Sequence, residues 1–192
     1  MKKVLMVLLI VVVGFCGFVA TRPATFHVER VTTIAVPSEA VFARINDLHQ
    51  WDAWSPWEKL DPQMKKTYEG ADAGVGASYH WSGNDKVGEG RMTITESEPG
   101  SKVGIKLEFI KPWQATNTGT FTFTPEAAGT RVTWAMDGTN NFMAKAMTIF
   151  MNMDQMIGSD FEKGLASLKE LSEVAAAMPA DSTTTAATQS AP

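Results

Sequence analysis

Trp51, Trp54 and Trp57 recur every third residue in the segment DLHQWDAWSPW, which sets three indoles near one side of a helix or tight turn. Large flat rings gathered this way serve either a core or the wall of a wide apolar cavity. Tyr79, Trp81, Phe109, Phe121 and Trp134 extend the set along β-rich stretches. Methionines form a second group: Met136, Met143, Met147, Met151, Met153 and Met156 crowd one short region. Thioether chains adapt to irregular apolar shapes, so these residues suit a core plug, a gate at a cavity mouth, or both. With Met92, Met143 and Met147 added, the aromatic set gives the candidate lining of a ligand cavity. Arg30 and Arg91 are the polar groups to test as contacts to a ligand head group.

Acid–base and metal chemistry find less support. His27, His49 and His80 do not pair at metal-ligand spacing, and no HExxH motif exists. His80 lies between Tyr79 and Trp81, so strand alternation puts it on the opposite face from both; with the aromatics inward, it points to solvent. The carboxylates are spread out, and no pair for general acid–base work is identifiable. Asp47 is placed to cap a helix. There is no GxSxG, P-loop or GxGxxG, and the glycines from Gly70 to Gly76 end a strand rather than open a helix. The residues therefore nominate no catalytic group, no metal ligand and no cofactor.

The elements that must position these side chains begin with an anchor. Lys2 and Lys3 precede Val4 to Ala20, an uncharged apolar run. It reaches roughly 26 Å, just short of a hydrocarbon core of about 30 Å. Bulky Phe18 spoils cleavage after Ala20, and Phe15 spoils a lipoprotein site at Cys16, which favours an uncleaved span over a removed signal. The two lysines keep the N-terminus cytoplasmic and export the domain. The net charge of −4 has no basic cluster, which argues against nucleic acid. The single cysteine, Cys16, lies in the apolar run, so the exported part has no disulfide. Residues 1–24 are read as anchor or signal, 25–174 as one domain, and 175–192, rich in Ala, Thr and Ser, as a disordered tail.

Within the domain, Phe26 to Val36 reads as a strand ending at Pro37. A short helix follows with Ser38 as its N-cap, and Asp47 to Trp57 reads as a second. Six further strands are predicted at Lys65–Glu69, Ala77–Ser82, Glu89–Glu98, Lys102–Phe109, Thr116–Pro125 and Thr130–Gly138, joined by short turns into an antiparallel meander. Ile157, Phe161, Leu165, Leu168 and Leu171 then mark one face of a long closing helix. The fold class is α+β: a curved antiparallel sheet of about seven strands around that helix. A hollow beside the helix is the expected consequence.

This order, with HVERVTTIAVPSEAVFARINDLHQWDAWSPW, GTRVTWAMDG and GSDFEKGLASLKEL as its matching stretches, resembles the polyketide cyclase/dehydrase and lipid-transport family of the START-like, helix-grip (SRPBCC) superfamily, in its membrane-anchored bacterial form. The resemblance implies a cavity for lipids, sterols, polyketides or hormones, without a shared catalytic motif. The expected function is binding of a small hydrophobic ligand such as a lipid, with membrane contact through the N-terminal helix. A cyclase or dehydratase with a cavity acid or base, and a protein-interaction module, are the alternatives. Ligand identity and oligomeric state stay open.

Overall fold

The computed structural model describes residues 1–178. Helix α1 (Lys2–Ala20) leads into β1 (Thr25–Ile34), α2 (Ser38–Asn46) and a 3₁₀ turn over Leu48–Ala53. Strands β2 (Lys65–Glu69), β3 (Ser78–Ser82), β4 (Glu89–Glu98), β5 (Lys102–Lys111), β6 (Ala115–Glu126) and β7 (Gly129–Thr139) follow. Helices α3 (Phe142–Met147) and α4 (Met153–Ala177) close the chain. All strands join one antiparallel sheet in the order β1-β7-β6-β5-β4-β3-β2. The helix-grip architecture expected from the sequence is the observed one.

Three local readings are corrected. Ser38 is the first helical residue of α2 rather than its cap; Pro37 holds the cap position with no side-chain bond. The segment read as a second α-helix is a 3₁₀ turn ending at Ala53, because Pro56 lacks the N–H that a longer helix would need. Asp47 caps that turn, its carboxylate accepting from the His49 N–H. Finally, α4 runs to Ala177, past the boundary set at residue 174, and most of the predicted tail lies outside the described residues.

Alternation along the strands gives the sheet one apolar face. Val28, Ile34, Val132, Trp134, Met136, Phe121, Phe123, Val103, Ile105, Met92, Ile94, Tyr79 and Trp81 are buried on it, and α2 and α4 pack against it. Helix α4 crosses closest to β1. Two glycines permit that approach: a Cβ at Gly158 would collide with the Arg30 guanidinium, and one at Gly164 would come within 2.8 Å of the Trp134 ring. Arg30 thus lies across the helix backbone. Its Nε donates to Glu162 at 2.7 Å and its Nη1 to Asp154 at 3.0 Å, one turn to either side of Gly158. Farther along, Lys169 Nζ donates to the Thr33 carbonyl at 2.6 Å and the Ala35 N–H donates to Glu173 at 2.8 Å.

Candidate functional site

The concave face divides into two parts. On the side of β6, β7 and α4 the expected hollow is filled. Trp134 stacks on Phe161 with centroids 4.0 Å apart and planes 7° from parallel, and Phe121 stacks on its other side at 4.8 Å. Trp51, Trp54 and Trp57 meet Trp134 edge-on at 6.4, 5.7 and 5.8 Å. The triplet does converge, as its spacing predicts, but onto the core. The Trp51 N–H donates to the Ile45 carbonyl at 3.0 Å, and Trp54 is 1% exposed. Rings in mutual contact leave no room for a guest there.

Across β2 to β5 the face is less closed. Tyr79, Trp81 and Met92 are buried, but Met64, Tyr68, Leu107 and Phe109 beside them are only partly covered, as are Phe26, Phe42, Trp57, Ile157 and Leu171 elsewhere around the core. Phe109 meets Trp81 edge-to-face at 5.9 Å. The segment from Ser55 to Met64 lies over this region and is pinned at its end, where Asp61 accepts from the Asn84 N–H at 2.7 Å.

The same segment carries a buried acid that the sequence reading missed. The Glu58 side chain is 9% exposed. One oxygen accepts from the Tyr79 hydroxyl at 3.1 Å, and the other pairs with Lys66, which also reaches Asp52. Burial pushes the Tyr79 phenol far up, and the Glu58 carboxylate adds to it. For Lys66, burial pulls the ammonium down, but hydrogen bonds to Asp52 and Glu58 outweigh it and leave it above its ordinary range. Tyr68 stacks between His49, at 4.0 Å, and Tyr79, at 5.3 Å. A signal for this network was present. Tyr68 faces inward opposite Tyr79, so alternation turns Lys66 inward too, and a buried ammonium needs an acid.

The remaining candidates lie elsewhere. Arg30 clamps α4 instead of facing a free concave surface. Arg91 is on the outer face, bonded to Glu69 at 3.2 Å, and cannot reach a ligand gripped inside. His80 is on that outer face as well, 3.7 Å from Glu89. His27, also outside, bonds Asp137 at 2.8 Å, and that bond raises its pKa above the usual 6.5. Met143 and Met147 lie on α3 and are exposed, 54% and 37%, rather than lining an interior. Two open grooves, of about 510 and 600 Å³, lie at the two ends of the sheet, beside Phe26 and Gly138 and beside Pro37 and Pro125.

A seven-stranded antiparallel grip on one long helix, with a mostly apolar inner face, defines a class of ligand-binding folds. Residues 25–173 match the model of the polyketide cyclase / dehydrase and lipid transport family, and the chain belongs to that family. No curated protein matches the sequence significantly. Among solved structures, it is similar to protein CV1439 from Chromobacterium violaceum (TM-score 0.54, 17% identity, 79% of this chain and 99% of that one). A Staphylococcus aureus protein of unknown function, SA2116, superposes with a TM-score of 0.59 at 12% identity, covering 83% and 99%. The di-domain ARO/CYC StfQ of the steffimycin biosynthetic pathway matches with a TM-score of 0.58 at 13% identity, over 81% of this chain and 53% of that one. At these identities the likeness is one of fold.

Proposed function

We propose that the chain binds a small hydrophobic ligand on the β2–β5 part of its concave face, while α1 tethers it to the outer side of a membrane. The observation that carries this reading is the incomplete cover of Met64, Leu107 and Phe109 around Tyr79, Trp81 and Met92, beside the polar network of Tyr79, Glu58 and Lys66. Family membership points the same way. Burying a few hundred Å² of ligand at about 25 cal/mol per Å² supports useful affinity without a charged anchor. Tyr79, Glu58 and Lys66 give the site one polar pole, suited to a hydroxyl or carbonyl. Of the candidate lining residues, Tyr79, Trp81, Met92 and Phe109 lie on this part of the face, and Trp51, Trp54, Phe121 and Trp134 back it from the core.

Native mass spectrometry of the full chain in mild detergent, followed by organic extraction, tests the reading. A bound apolar compound is expected, and Leu107→Arg should remove it while leaving the far-ultraviolet spectrum unchanged. Identical extracts from wild type and variant would overturn the proposal.

A second reading, a cyclase or dehydratase, draws on one observation: a carboxylate and a phenol hydrogen-bonded to each other on the concave face. Glu58→Gln should then abolish turnover yet retain ligand, whereas a pure binder has no turnover to lose.

A further inference from the structure

The exposed apolar side chains of the domain are unevenly placed. Phe142, Met147, Phe150 and Met151, on or just after α3, are 52%, 37%, 79% and 41% exposed. Ile110 and Trp113, at the β5–β6 turn, are 39% and 63% exposed. The strand register puts that turn at the end of the sheet where β1 begins and β7 ends, since Thr25 pairs with Thr139 and Asn117 with Gly138. Helix α1 emerges at the same end.

The link between α1 and this surface is specific. Val19, in the last turn of α1, is fully buried, and α1 packs on α3. Asn140, just before α3, donates through its backbone N–H to the Ala24 carbonyl at 2.8 Å and through its side chain to the Pro23 carbonyl at 3.2 Å. The exit of α1 is thus tied to the entry of α3. Residues Val4 to Val13 are all more than half exposed, an apolar surface of the kind a bilayer covers. A helix of 19 residues is about 28 Å long, so its last turn ends near the lipid headgroups. Arg22 lies there, its guanidinium 5.9 Å from the Phe18 ring and its Nε without a protein acceptor among the described residues.

We infer that the α3 segment and the β5–β6 turn form a second membrane contact, seated in the outer-leaflet interface beside α1, with Arg22 and Lys145 toward lipid phosphates. This rests on the reading of α1 as a span. The occupant is the bilayer surface itself. A phenylalanine and methionine ridge with an exposed tryptophan and basic groups is the composition that enters about 5–10 Å into that boundary. Anchor and ridge together fix the orientation of the domain, with one end of the grip against lipid and the Val75 loop pointing away.

The test uses the full chain, with Cys16→Ser, in vesicles of phosphatidylethanolamine and phosphatidylglycerol. An environment-sensitive nitrobenzoxadiazole label is placed at Phe150→Cys or, as a reference, at Val75→Cys, which is 59% exposed at the far end. Lipids carrying a nitroxide near the headgroup should quench the residue-150 label at least about threefold more than the residue-75 label. Equal, water-like signals from a chain that resists alkaline extraction would overturn the ridge contact alone. Extraction of the chain by alkali would overturn the span and the ridge together. Quenching at residue 150 that follows protein density rather than nitroxide lipid would assign the ridge to a second copy of the chain and overturn the inference.

Discussion

Between α4 and strands β6 and β7 the concave face is closed by rings in contact, whereas across β2 to β5 it holds a tyrosine–glutamate–lysine network and the partly covered apolar side chains Met64, Leu107 and Phe109. One sheet therefore has two differently closed parts. Stacked and edge-on rings at 4.0 to 6.4 Å hold the helix in place. The other part has weaker closure and its own polar pole, which is what a binding surface requires. The helix end of the grip is made tight by Gly158 and Gly164, so openness on the β2–β5 side does not loosen α4.

The largest expected effects separate the two parts by stability. Phe161→Ala removes a ring stacked on Trp134 and should lower unfolding free energy by about 3–5 kcal/mol, read from urea melts. Phe109→Ala, at a partly covered position, should cost less than half of that and reduce ligand content instead. Equal costs would erase the distinction. Next comes Lys66→Met, which leaves the Glu58 carboxylate buried and unpaired and should cost about 3 kcal/mol. Adding Glu58→Leu should recover most of the loss, since an apolar pair of similar size replaces the ions. A further loss in the double variant would show that the network is held by Tyr79 rather than by the ion pair.

Gly158→Ala is expected to be smaller, about 1–3 kcal/mol, because its methyl must displace the Arg30 guanidinium. In an Arg30→Met background the penalty should shrink, because a thioether chain can move aside. An unchanged penalty would mean that the helix backbone, not the arginine, sets the contact.

Pattern made most of this fold readable in advance. Alternation in Arg91–Ile94 and Arg131–Met136 located strands, and the Ile157–Leu171 stripe located α4, since both periods follow from which face must leave water. The same logic put His80 outside. What stayed illegible depended on distance in sequence. Nothing in WDAWSPW says whether three indoles surround a void or fill it; Trp134 and Phe161, far along the chain, decide that. Glu58 reads as a loop acid until β2 and β3 are paired in register. Arg30 looks like a free cation until Gly158 is seen to admit it. Neither Met143 nor Met147 carries a mark of exposure, because a methionine suits a core and a lipid surface equally.

The smallest effect contrasts the two faces of the sheet by pH. On the outer face the hydrogen bond to Asp137 raises the His27 pKa above 6.5, so its contribution is complete below that value and is lost as pH rises through the raised one. Along α4 the signs reverse. Hydrogen bonds from Arg30 hold Asp154 below 3.8, and those from Lys169 and the Ala35 N–H hold Glu173 below 4.5. Their contributions are complete above those ordinary values and are lost as pH falls through the lowered ones. A thermal-stability plateau between 4.5 and 6.5 is the expected result, with shallow limbs because all three groups are solvent-screened. His27→Gln should flatten only the alkaline limb, and Glu173→Gln only the acid one. If Glu173→Gln left the acid limb intact, the polar contacts along α4 would be passengers, and the ring stack with its two glycines would hold the helix unaided.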